Sequence, residues 1–240
     1  MKEIASQIGS LTCHLIEAAG DVSHIFVLCH GFGAGGTDLV PVGRELFKVL
    51  PSAHYAMPQG PIDLSEMFPL ADARTWWQIE VGHVAKAISS GQMTEIQESV
   101  PEGLASARRK LLATIDLLSH QYKVPLNNFI IGGFSQGAML ASDVALSMEE
   151  APAALLILSG TLICKNRWER LAQKRQDLKV FQCHGTLDPV LPYSNAVAMR
   201  EFLEEQGLKP DFFAFEDQHT IPMSALDKLT IFLKTLSEPT

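Results

Sequence analysis

The chain has 240 residues, 47% of them hydrophobic, with a mean hydropathy of +0.11. That suits one large α/β domain over residues 1–240 and excludes a long disordered stretch. The net charge of −8 argues against a nucleic-acid backbone or an anionic membrane surface as partner.

No apolar run approaches the ~20 residues of a membrane span, and Met1-Lys2-Glu3-Ile4-Ala5-Ser6-Gln7 lacks the basic-then-apolar order of a signal peptide. Of the four cysteines, Cys29 and Cys183 each close an apolar run, as small buried hydrophobes do. A reducing, cytoplasmic setting is therefore expected.

In chain order, strand character is predicted at Thr12–Glu17 and His24–His30, a helix at Asp38–Leu50, and a strand at Ala53–Met57. The clearest helix is Pro101–Tyr122, with Leu104, Ala107, Leu111, Ile115 and Leu118 on one face. Strand Asn128–Gly133 leads into helix Gln136–Met148, followed by strands Ala153–Ser159 and Lys179–His184. Helix Tyr193–Gln206, strand Asp211–Glu216 and helix Pro222–Leu236 complete the series. Continuous apolar strands alternating with helices predict an open, mostly parallel sheet covered on both faces. Only the interval 59–100 breaks the rhythm, being too long for a plain connection. It carries Met67, Phe68, Trp76 and Trp77, then a polar piece at Ser89-Ser90-Gly91. Two readings fit: a loop or partial lid giving an apolar wall to a pocket, or aromatics that plug the edge of the core.

The most informative motif is Gly133-Phe134-Ser135-Gln136-Gly137, where an apolar run stops and a small-residue helix begins. A G-x-S-x-G turn there bends sharply, lifts the serine hydroxyl out of the sheet, and aims backbone N–H groups at any oxygen developing charge. The bland reading is a glycine-rich strand-to-helix turn. A serine nucleophile needs a base, and the base needs an orienting group. Asp188 follows the strand ending at His184, and His219 follows the strand ending at Glu216. Loops after parallel strands share one sheet edge, so Ser135, Asp188 and His219 can converge. Asp177 precedes its strand and belongs at the opposite edge. Glu216 and Asp217 are too close along the chain to reach round His219, and His184 suits bracing a turn.

The loop His30-Gly31-Phe32-Gly33-Ala34-Gly35-Gly36 can bring backbone N–H groups close to a substrate oxygen. The N–H groups of Phe32 and Gln136 would then form a two-donor oxyanion hole. Gly31, Gly33 and Gly36 also match a dinucleotide fingerprint. Yet Tyr55-Ala56-Met57-Pro58 stands where that fingerprint needs an acidic residue. Neither H-x-x-x-H nor C-x-x-C occurs, so no metal and no cofactor are expected.

Together, His30-Gly31-Phe32-Gly33, Gly132-Gly133-Phe134-Ser135-Gln136-Gly137, the segment from Gln182 to Pro192 and Asp217-Gln218-His219 resemble the phospholipase/carboxylesterase family of α/β-hydrolases. That family includes bacterial carboxylesterases and acyl-protein thioesterases. The resemblance implies an α/β-hydrolase fold, Ser135 as nucleophile, His219 as base, Asp188 as orienting acid, and Phe32 and Gln136 at the oxyanion hole. It also implies that Arg74-Thr75-Trp76-Trp77 lies near an acyl pocket, and that the protein is a monomer or homodimer. Ala138 stands where the family commonly has a second glycine, and Asp217-Gln218 where many members have a glycine pair. Ala34-Gly35-Gly36-Thr37-Asp38 is more similar to the carboxylesterase branch than to the thioesterase branch. The expected activity is hydrolysis of small to medium acyl carboxylic esters through an acyl-enzyme. The alternatives are a thioesterase or lysophospholipase using the same three residues, and a binding protein that keeps the fold without catalysis.

Overall fold

Strands too apolar to expose either face need helices on both, and the chain supplies them. The computed structural model describes residues 1–69, 72–79 and 93–236. Its main sheet comprises β1 (Lys2–Ile8), β2 (Leu11–Glu17), β3 (His24–Cys29), β4 (Ala53–Pro58), β7 (Phe129–Phe134), β8 (Ala154–Leu158), β9 (Lys179–Gly185) and β10 (Pro210–Phe215). The strand order is β1-β2-β4-β3-β7-β8-β9-β10. From β4 to β10 neighbouring strands are parallel, whereas β1 and β2 run antiparallel at one edge. Two short strands, β5 (Ile62–Asp63) and β6 (Arg74–Thr75), pair with each other inside the long interval.

The helices are α1 (Val40–Val49), α2 (Met93–Glu98), α3 (Leu104–Tyr122), α4 (Gln136–Ser147), α5 (Lys165–Ala172), α6 (Tyr193–Glu205) and α7 (Met223–Leu236). Successive side chains of a strand point to opposite faces. Accordingly, Phe26, Leu28, Ile130, Leu156 and Phe181 pack with Leu46 of α1 and Leu229 and Leu233 of α7. Ile25, Val27, Ile131, Leu155 and Ile157 meet Leu111 of α3, Leu140 and Val144 of α4, Trp168 of α5 and Leu203 of α6. All five predicted helices and seven predicted strands are present, with no end shifted by more than three residues. The described residues add β1, β5, β6, α2 and α5, for which no element was predicted.

From β3 the chain passes through α1 to β4 on one side, and β7 then lies on the other side of β3. A crevice at the strand C-terminal ends arises where the order reverses in this way. The loop after β3 and the turn after β7 therefore face each other.

Helix α4, which begins at that turn, is anchored from behind. Asp143 is fully buried and accepts hydrogen bonds from Arg108 Nη1 of α3 at 2.7 Å, Arg167 Nε of α5 at 3.1 Å and Trp168 Nε1 at 3.0 Å. Removing one partner of such a cluster leaves buried polarity uncompensated, so Asp143→Ala is expected to cost about 3–5 kcal/mol of stability. Denaturant unfolding with m held constant measures it, and a loss below about 1 kcal/mol would contradict the anchoring role.

Candidate active site

Ser135 sits between β7 and α4 with φ 54° and ψ −119°, a backbone geometry that residues with a Cβ seldom adopt. The surrounding packing enforces it. A Cβ on Gly133 would overlap Gly137 and Cys29 O, and one on Gly137 would overlap Cys29 O and His30 O. Only glycine allows β3, β7 and α4 to approach this closely. Ser135 N–H donates to Leu158 O at 2.9 Å, which ties the turn to the end of β8. Gly31 lies against the same turn, because a Cβ there would stand 3.3 Å from Ser135 Cβ and from the Phe134 ring.

The acid and the histidine arrive from the next two strand ends. Asp188 follows β9, His219 follows β10, and His219 Nδ1 lies 2.5 Å from Asp188 Oδ2. The His219 ring is 4.7 Å from that of Phe134, the residue before Ser135. Asp188 is 6% exposed. Its Oδ1 accepts Val190 N–H at 2.8 Å and Leu191 N–H at 2.9 Å. Burial by itself would raise its pKa, but hydrogen bonds from His184, His219 and Leu191 N–H outweigh burial and hold the carboxyl far below its ordinary range. Glu216 and Asp217 are exposed. Asp217 Oδ1 accepts the N–H of Gln218 at 2.7 Å. Its carbonyl accepts Leu187 N–H at 3.1 Å, and a Cβ on Gly185 would overlap Asp217 O and Gln218 O. The residues that stand in place of a glycine pair thus dock the histidine loop onto the acid loop.

The N–H groups of Phe32 and Gln136 serve no turn or cap among the described residues. The segments that carry them are joined by a brace that spans sixty residues of sequence. The buried Gln136 amide accepts Thr75 Oγ1–H at 2.9 Å and Trp76 N–H at 3.1 Å through Oε1, and donates through Nε2 to Trp77 O at 2.8 Å. From the same segment, Gly33 N–H donates to Arg74 O at 2.9 Å and Arg74 N–H to Ala34 O at 3.0 Å. Trp76 Nε1–H reaches His30 O at 2.9 Å. Nε2 of His30 accepts Gly60 N–H at 2.8 Å, so its proton is on Nδ1, which donates to Gly31 O at 2.8 Å. Burial lowers the pKa of His30, so this ring stays in the neutral form that the two bonds require.

The aromatic residues of the long interval divide. Trp76 and Trp77 are 1% and 2% exposed and belong to the core. Of the two readings of these aromatics, a pocket wall or a plug at the core edge, their burial favours the plug, since a ring enclosed by core side chains has little surface left to offer. Met67 and Phe68 are exposed at 57% and 39%, and Phe68 lies within about 4 Å of the Cβ position of Gly33. The Ser89-Ser90-Gly91 piece lies outside the described residues.

Among the described residues no cluster of His, Cys, Asp and Glu is arranged to hold a metal, and no helix is long and apolar enough to cross a membrane. All four cysteines are buried and free. Burial pushes the thiols of Cys13 and Cys183 up to about 12, and that of Cys164 to about 11. None of these three is a thiolate at neutral pH.

The model of the phospholipase/carboxylesterase family matches residues 12–237. Acyl-protein thioesterase 1 of Eremothecium gossypii is 26% identical over 223 residues, covering 90% of this chain and 89% of its own. Among solved structures, esterase PE8 superposes with a TM-score of 0.77 at 23% identity, over 94% of this chain and 99% of its own. A carboxylesterase from Mesorhizobium loti gives 0.76 at 16% identity, over 97% and 98%. With the strained serine turn, the acid–histidine pair and this match from end to end, the chain belongs to the phospholipase/carboxylesterase family of serine hydrolases, with the α/β-hydrolase fold.

Proposed function

We propose that the protein hydrolyses carboxylic esters of small to medium acyl groups, with Ser135 as nucleophile, His219 as base and Asp188 as the orienting acid. The observation that carries this reading is the 2.5 Å bond between Asp188 and His219, beside the strained serine turn. With Nδ1–H given to Asp188, the free nitrogen of His219 is Nε2, which takes the Ser135 proton as Oγ attacks the ester carbonyl. The proton then passes to the leaving alcohol. Phe32 and Gln136 N–H groups hold the tetrahedral oxyanion, and water repeats the sequence on the acyl-enzyme. Met67 and Phe68 are proposed to meet the acyl chain, and Trp76 and Trp77 to support the loop behind it.

The thioesterase name of the 26% identical relative favours a second reading, in which the scissile bond is a thioester. The same groups would serve, with the thiolate as leaving group. Cytoplasmic location is proposed from the four free thiols. Every proposed group comes from one chain, so a monomer or a homodimer serves equally.

Hydrolysis of p-nitrophenyl esters of increasing acyl length, beside an acyl thioester of matched length, tests the reading. The expected result is an oxyester kcat/KM above that of the matched thioester, with an optimum at short to medium chains. A thioester excess of tenfold or more would replace the first reading by the second. Wild-type protein that neither turns over any ester nor labels with a fluorophosphonate would refute both.

A further inference from the structure

The acid of the site has a second histidine. His184, the penultimate residue of β9, is fully buried, and its Nε2 lies 2.8 Å from Leu191 O and 3.2 Å from Asp188 Oδ2. A carbonyl oxygen only accepts, so Nε2 of His184 carries the proton. That N–H is directed at the carbonyl, and the same carboxylate oxygen that receives His219 Nδ1 lies in polar contact beside it. Nδ1 of His184 has no hydrogen-bond partner among the described residues, although it is buried. Oδ1 of Asp188 therefore accepts two backbone N–H groups, while Oδ2 is bonded to His219 and has the His184 imidazole in polar contact at 3.2 Å.

We infer that His184 is a positioning residue of the hydrolytic site, which fixes Oδ2 of Asp188 and sets the basicity of His219 by competing for that oxygen. This rests on the assignment of Ser135, His219 and Asp188 proposed above. The positive N–H end of His184, 3.2 Å from Oδ2, stabilises the negative charge on the oxygen facing His219 and so weakens its support of an imidazolium. Few other groups can imitate that effect. From α6, Tyr193 faces His184 with ring centroids 6.5 Å apart. β10 presents Ala214 opposite His184 in register, and β8 presents Leu158 opposite Cys183. On the histidine loop, the side chain of Asp217 is turned onto Gln218 N–H.

The test is the pH profile of kcat/KM for p-nitrophenyl acetate in His184→Leu and His184→Gln. Leucine removes the donor, while the glutamine Nε2 can reproduce it. With leucine the acidic limb is expected to move up by about half a pH unit or more, because His219 gains the undivided charge of Oδ2. The plateau should fall about tenfold as the carboxylate loses its lateral hold. Glutamine should return the limb to the wild-type position. A folded His184→Leu whose limb does not move overturns the inference. If leucine does not fold, nitrogen NMR of ¹⁵N-histidine-labelled wild type decides. A ring in the Nε2–H form whose shifts follow the His219 titration supports the coupling, and one indifferent to it refutes it. Ser135→Ala separates the two failures. Activity retained there overturns the nucleophile assignment itself, whereas an inactive Ser135→Ala with an unmoved limb overturns only the role of His184.

Discussion

Ser135→Ala is expected to lower ester turnover by about 10³-fold or more, approaching 10⁶ if only substrate binding and oxyanion stabilisation still contribute. The fold should not notice the change. The Ser135 hydroxyl does not cap α4, so no helix-end bond is lost with it. Alanine keeps a Cβ at φ 54°, so the strain of roughly 1–3 kcal/mol stored at this position is the same in both proteins. Tm should therefore stay within a few degrees of wild type. The size of the effect comes from chemistry alone: without Oγ there is no acyl-enzyme, and His219 can at most activate a water that nothing positions at the carbonyl. Calorimetry beside a p-nitrophenyl ester assay and fluorophosphonate labelling makes the measurement. Near-full activity in a folded variant would mean that another residue attacks.

The serine turn could be read from sequence because its geometry is local. Five consecutive residues, from Gly133 to Gly137, fix both the bend and the approach of neighbouring backbone. Asp188 and His219 were legible for a topological reason, since residues just after parallel strands meet at one sheet edge whatever their spacing. The illegible parts are those in which local composition and tertiary role diverge. β1 reads Lys-Glu-Ile-Ala-Ser-Gln-Ile, and as an edge strand paired on one side only it leaves most of its side chains exposed. The residues of α5 are mostly charged or polar, and its place is set by two buried residues, Trp168 and Ala172. Neither presents the continuous apolar run or stripe on which the other elements were recognised. The Gln136 brace and the Asp143 cluster join residues 24 to 61 positions apart. No periodicity encodes such pairings. Trp76 and Trp77 belong with them: an aromatic pair in a long loop fits a pocket wall or a plug equally, and only packing separates the two.

Asp188→Asn is expected to lower kcat by about 10³–10⁴-fold with KM changed little. The asparagine oxygen can still accept Val190 and Leu191 N–H, which leaves its NH₂ facing His219 Nδ1 and His184 Nε2. An NH₂ group only donates, so His219 must turn Nδ1 into an acceptor and carry its proton on Nε2. A base protonated on the nitrogen that faces serine cannot take the serine proton. The pH dependence sharpens the argument. In the folded protein the Asp188 carboxyl is held below its unfolded value of about 4. Its contribution to stability is therefore fully present above about pH 4 and is lost only as pH falls through the lower, folded-state pKa. Asp188 therefore stays ionised throughout the neutral range, and no loss of wild-type activity there reports its protonation. The variant should show its deficit across the whole plateau, because a wrong tautomer is not repaired by raising the pH within that range. A variant within tenfold of wild type, or one whose deficit disappears by about pH 7, would show that Asp188 merely packs beside the histidine. The polar contacts gathered on its carboxylate would then be a structural feature of the loop after β9, with no part in orienting the base.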